Sequence, residues 1–160
     1  MNMPEFFRKK FEGEQPAFGR VLRALPADRL SYTPHERSNT AGGIAWQLVL
    51  EQRALAAIVA NGSFEWTNPP QPQSLDEIVA AWDAATNELS TGLAGVDETK
   101  WESEAKMSMG ADAVWTDSLG DMLWGFLLDM IHHRGQLSTY IRPMGGKVPA
   151  IYGPSADSAG

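Results

Sequence analysis

A chain of 160 residues is long enough to bury one hydrophobic core, and 43% hydrophobic with 21% charged residues excludes disorder as the default state. A formal net charge of −7 excludes a general affinity for nucleic acid, which needs a basic face, and the densest basic run, Arg8-Lys9-Lys10, is short. The absence of cysteine excludes disulfides, thiolate metal ligands and a cysteine nucleophile.

The first helix is expected from about Pro4 to Leu25, with Phe7, Phe11, Phe18, Val21, Leu22 and Leu25 as its apolar positions. Pro16 is expected to kink or split it, because proline removes a backbone donor and crowds the preceding turn. Its N-terminal residues lack the apolar stretch of a signal peptide, and no later segment reaches the ~18 apolar residues needed to cross a bilayer. The expectation is a soluble, cytoplasmic protein with no membrane partner.

A second helix is expected to start near Ser38-Asn39-Thr40, which are good N-cap residues, and to stop at Asn61-Gly62. A Pro-rich connector from Trp66 to Pro72 follows. The third helix opens on Ser74, with Glu77 as capping-box partner, and runs to about Leu93. From Val96 to Thr116 the pattern partly alternates, notably over Glu102–Met109, and reads as extended or as a short hairpin arm. The fourth helix starts near Asp117-Ser118 and runs to about Pro143, closed by Gly145-Gly146, with Pro149 and Pro154 keeping the tail extended. The expected fold class is all-α: a four-helix bundle with a Pro/Gly-rich C-terminal tail, one domain over residues 1–160.

Helical projection places polar groups on apolar faces. On the fourth helix, His133 falls about 20° from Phe126, inside the stripe of Leu119, Met122, Met130 and Leu137, and Asp129 falls about 60° away, at its edge. As an i, i+4 pair they can converge on one point, turned toward the core. On the second helix, Glu51 falls about 20° and Gln47 about 60° from Ile44, beside Leu48, Leu55 and Ile58. Trp46 projects away from that stripe, toward another helix or a partner subunit. A carboxylate on such a face is costly unless paired, protonated or bound to a cation. Two readings follow: a buried Asp–His–Glu network that fixes helix register, or a metal site of the kind bundle interiors hold, with ligands suited to Zn, Ni, Fe or Mn. Arg134, about 80° from Phe126, is placed either to meet an anionic substrate or cofactor or to close an ion pair at the helix flank.

The segment His132-His133-Arg134-Gly135-Gln136-Leu137, followed by Tyr140-Ile-Arg-Pro-Met-Gly-Gly-Lys-Val-Pro and Ile151-Tyr152-Gly153-Pro154-Ser155, resembles the C-terminal signature of the DinB-like (DNA-damage-inducible) family. An aromatic-rich first helix and Ala41-Gly-Gly-Ile-Ala-Trp46 extend the resemblance over most of the chain. It implies an up-up-down-down bundle, commonly a homodimer, with a divalent metal near its middle, Zn or Ni foremost. The family's metal is held by a second-helix histidine and a last-helix H-x-x-x-H or D-x-x-x-H pair, which maps onto Asp129 and His133. The second-helix histidine falls at Gln47, where this sequence departs from the pattern; Glu51, one turn on, is the residue able to replace it. Relatives in the wider superfamily include thiol S-transferases and mycothiol-dependent maleylpyruvate isomerases. The resemblance therefore implies a small-molecule substrate and a low-molecular-weight thiol as a second cofactor, in a metal-dependent transferase or hydrolase. A metal-free small-molecule-binding or stress-response module, or a structural dimer, is the alternative.

Overall fold

A computed structural model of the chain describes residues 1–110 and 113–158. Side-chain caps start each of its four long helices. Asn2 and Glu5 form a capping box that opens α1 (Met3–Arg23), and Thr40 accepts the Gly43 amide at the start of α2 (Ala41–Asn61). The Ser74–Glu77 box opens α3 (Leu75–Leu93) as the sequence predicts. Ser118 accepts the Asp121 amide to open the last long helix, Leu119–Ile141. Each such cap satisfies amides that would otherwise lack partners and is worth about 1 kcal/mol. Gly62, at φ +73°, stops α2 in the left-handed conformation that glycine adopts without a steric penalty.

Of the kink or split expected at Pro16, the split does not occur: α1 runs through it as one helix. An interior proline costs about 3 kcal/mol. Against it stands the burial of Phe7, Phe11, Phe18, Val21 and Leu22 along the same helix, each worth about 1.5–3 kcal/mol. The packing wins. The second helix also departs from a simple amphipathic pattern: fifteen of its twenty-one residues are buried. Trp46 is covered by the Pro-rich connector, donating from its indole to the Pro69 carbonyl at 3.0 Å, and by the Arg53 guanidinium 5.1 Å from its ring.

The all-α expectation needs correction between α3 and the last long helix. Here Asp97 caps a single turn, α4 (Glu98–Trp101), so that last helix becomes α5. Two strands follow, β2 (Glu104–Ser108) and β3 (Val114–Ser118), paired antiparallel with Met107 opposite Trp115. A short β1 (Ser63–Glu65), directly after Gly62, adds in parallel to β2 with Phe64 opposite Met107, completing a sheet in the order β1-β2-β3. The alternation is physical: Ala105 and Met107 are buried while Glu104 and Lys106 face solvent and pair at 2.8 Å. Periodicity shows such a strand only weakly, because three to five residues are too few for it to register.

Among the long helices, α3 and α5 each pack against both α1 and α2. The sheet lies on α2 through β1 and β2 and on α5 through β2 and β3. It therefore covers the junction that carries Glu51 on one side and Asp129 and His133 on the other. Among the described residues, no helix is long and apolar enough to cross a membrane.

Candidate metal centre

Three ligand atoms converge between α2 and α5. Glu51, Asp129 and His133 each offer one donor atom, and these lie within 4.8 Å of one another. His133 Nε2 is 3.5 Å from Glu51 Oε1 and 3.6 Å from Asp129 Oδ2. The i, i+4 spacing on α5 supplies the last two and the facing turn of α2 supplies the first, as the helical projection predicts.

Burial divides the three. Glu51 is 1% exposed, His133 18% and Asp129 57% by side chain. The expectation that Asp129 turns into the core is thus corrected: it sits at the rim, because its position about 60° off the apolar stripe looks past the edge of α2 into solvent. The cluster has a closed floor and an open mouth.

The electrostatics of the floor are unbalanced. Burial, reinforced by the nearby Asp129 charge, pushes the Glu51 carboxyl up to about 8, and the amide hydrogen bond from Gln47 only partly opposes this. Gln47 Nε2 donates to Glu51 Oε1 at 2.8 Å, while Glu51 Oε2 is buried without a partner among the described residues. Such an orphan acceptor is costly, and a proton or a cation is what would satisfy it. The histidine is oriented for the same point. Its Nδ1 donates to Gln136 Oε1 at 2.7 Å, so in the neutral ring the Nε2 lone pair faces the two carboxylates. Three acceptors aimed at one point repel each other unless something positive lies among them. Carboxylate and imidazole oxygens and nitrogens of this kind fit a divalent cation, and an outer hydrogen bond that fixes the tautomer accompanies nearly every metal-ligating histidine.

Gln47 therefore lies beside the cluster as an orienting donor to Glu51. Arg134 lies outside it. Its guanidinium is 2% exposed, pairs with Glu14 Oε2 at 2.6 Å and donates to the Tyr152 hydroxyl, while its carbon is 4.6 Å from the Phe18 ring. Tyr152 also donates to Glu14 at 2.9 Å, so this trio pins the C-terminal tail to α1 and α5.

A cleft of about 440 Å³ opens beside the triad, with Gln47, Glu51 and Asp129 at one end. Its other walls are Trp66, Met107, Met109, Trp115 and Phe126. Most of these come from the sheet region, to which sequence reasoning assigned no functional role. Gln136 was legible only as part of the His-His-Arg-Gly-Gln run; its i+3 spacing from His133 is the signal that identifies it as the ring's partner.

The sequence matches the DinB family over residues 3–159. It is 27% identical over 157 residues to the uncharacterised protein YrdA of Bacillus subtilis, covering 96% of this chain and 90% of that protein. Among solved structures, it resembles a DinB-like protein of Bacillus cereus with a TM-score of 0.77 at 19% identity, covering 92% of this chain and 97% of that one. A DinB-like protein of Bacillus subtilis, YjoA, gives a TM-score of 0.67 at 18% identity, covering 87% and 91% respectively. At these identities the two structures speak to the fold.

Proposed function

For this chain, which belongs to the DinB family, we propose that the cleft between α2 and α5 is the active site of a divalent-cation-dependent enzyme of the thiol-transferase or hydrolase type. The observation that carries the reading is the convergence of donor atoms from Glu51, Asp129 and His133, with Glu51 a buried carboxyl whose second oxygen has no partner among the described residues. Zn and Ni suit this donor set, and Fe and Mn are compatible with it. A bound cation supplies Lewis acidity and makes a neighbouring thiol or water a stronger acid at neutral pH.

The chain's own residues do the rest. Gln136 holds the His133 ring so that Nε2 faces the cluster. Gln47 directs Glu51 Oε1 toward the same point and leaves Oε2 free on the floor. Asp129, at the mouth, presents its carboxylate to the cluster from the solvent side. The Trp and Met walls give the rest of the cleft an apolar lining beside its polar groups.

A second reading rests on Gln47, which stands where the family's histidine is expected. In it the site is metal-free, Glu51 keeps its proton, and the cleft serves to bind a small molecule. Metal analysis of protein purified without an affinity tag separates the two. The first reading predicts about one bound metal per chain, lost in Asp129→Ala and His133→Ala. No metal after loading with Zn, Ni, Mn or Fe would sink it and leave the second.

A further inference from the structure

The cleft is lined by two sets of residues of opposite character, and only the polar set, Gln47, Glu51 and Asp129, includes members of the metal triad. The apolar set comes from the sheet region and α5. Met107 and Trp115 face each other across β2 and β3, and Trp66 follows β1, its amide bonded to the Ser108 carbonyl at 2.7 Å. Trp115 stacks on Phe126, ring centroids 5.8 Å apart and planes 23° from parallel. It can lie so close to α5 because residue 125 is glycine: a Cβ there would come within 2.8 Å of the Trp115 ring. Glycine inside a helix is less favourable than alanine, and its position here gives the indole room to form the wall.

The charge around the cleft is equally one-sided. Among the described residues, no Lys or Arg lines it, and the charged ones that do are Glu51 and Asp129. The nearby Lys106 alternates to the outer face of β2, where Glu104 pairs with it, and the Arg134 guanidinium is occupied by Glu14 and Tyr152. A carboxylate, phosphate or sulfonate against the apolar walls would find no Lys or Arg there to pair with, and Asp129 nearby. The volume of about 440 Å³ lies within the range of roughly 300–1,000 Å³ usual for small-molecule pockets. Aromatic rings and methionine thioethers offer polarisable, flat contact with few directional demands.

The geometry points to a substrate whose non-reacting part is an uncharged aromatic or similarly flat apolar group, seated against Trp115, Trp66 and the Met107–Met109 edge, with its reacting group at Glu51, Asp129 and His133. This rests on the reading of that triad as the reactive end. The sheet is then the specificity element of the site, and its strands select the substrate that α2 and α5 act upon.

A matched pair of fluorescent probes tests it on the full chain in chelator. N-phenyl-1-naphthylamine is uncharged; 8-anilino-1-naphthalenesulfonate has the same rings with one sulfonate. The uncharged probe is expected to bind saturably at one site per chain, with Kd raised at least tenfold in Trp115→Ala. Met109→Glu is expected to do the same; Met109 is 57% exposed, so that substitution leaves the core intact even where Trp115→Ala fails to fold. The sulfonate is expected to bind at least tenfold more weakly than its uncharged counterpart, and Asp129→Asn to narrow that ratio. His133→Ala should lose metal yet keep the uncharged probe, and Met109→Glu should lose the probe yet keep metal, so the apolar end and the metal triad fail separately. Unchanged probe affinity in Met109→Glu, or a sulfonate that binds as tightly as the uncharged probe, would overturn the inference.

Discussion

Replacing Glu51 by glutamine should make the metal-free protein more stable at alkaline pH, the reverse of what loss of a well-paired buried acid does. Burial pushes the Glu51 carboxyl from 4.5 up to about 8. Between those values the folded chain holds a proton that the unfolded chain has released, so stability falls as pH rises. Its contribution is complete below about pH 4.5 and is gone above about pH 8. At about 1.4 kcal/mol per tenfold change in proton affinity, the wild type loses on the order of 3 kcal/mol from this group between pH 5 and pH 8. Glutamine has nearly the same shape and cannot ionise, so it removes that slope. Urea denaturation with a chelator at pH 5 and pH 8, for both chains, isolates the effect because groups common to the two cancel in the difference. Zn should reverse the order at pH 8: the wild type gains about 4.1 kcal/mol at a free concentration one thousand times Kd, and the glutamine variant gains much less. The reasoning fails if the glutamine variant loses stability with pH as steeply as the wild type, or is the less stable chain at pH 8 in chelator.

Gln136→Ala, which frees the His133 ring, should weaken metal affinity about 10–100-fold by titration calorimetry while leaving the fold intact. Gln47→His should tighten Zn binding by at least about tenfold, since it replaces an orienting amide by the family's imidazole ligand, read by competition with a chromogenic chelator. Arg134→Ala should cost about 3–5 kcal/mol in urea denaturation, because Glu14 and the tail lose a buried partner, whereas Tyr152→Phe should cost only about 1 kcal/mol. Both should retain the bound metal.

Long-range order in this fold was legible wherever a helix is long enough for its periodicity to count. The Ser74–Glu77 box, the Thr40 and Ser118 caps and the Gly62 stop all occur where the residues predict them. The triad was legible for the same reason: one helical turn separates Asp129 from His133, and Glu51 shares a face with Ile44. Projection about one axis, however, cannot say how far a neighbouring helix reaches, so it placed Asp129 in the core when the rim of α2 leaves it in solvent. The β2–β3 hairpin was legible only as the partly alternating stretch over Glu102–Met109, because its strands are five residues long, and β1 was hidden because it pairs with a strand some forty residues away on the strength of contacts that no local window contains. The Trp–Met walls went unread with it. Arg134 was visible as a charge near an apolar face, but its partners, Glu14 and Tyr152, lie 120 and 18 residues away.

The central claim, a divalent cation among Glu51, Asp129 and His133, is tested most directly by anomalous diffraction from Zn-soaked crystals at the zinc edge. The account predicts one strong peak about 2.0–2.2 Å from His133 Nε2 and from carboxylate oxygens of Glu51 and Asp129, absent in His133→Ala crystals. A map with no peak at that point, or with zinc bound only at surface histidines such as His132 or His35, would contradict it.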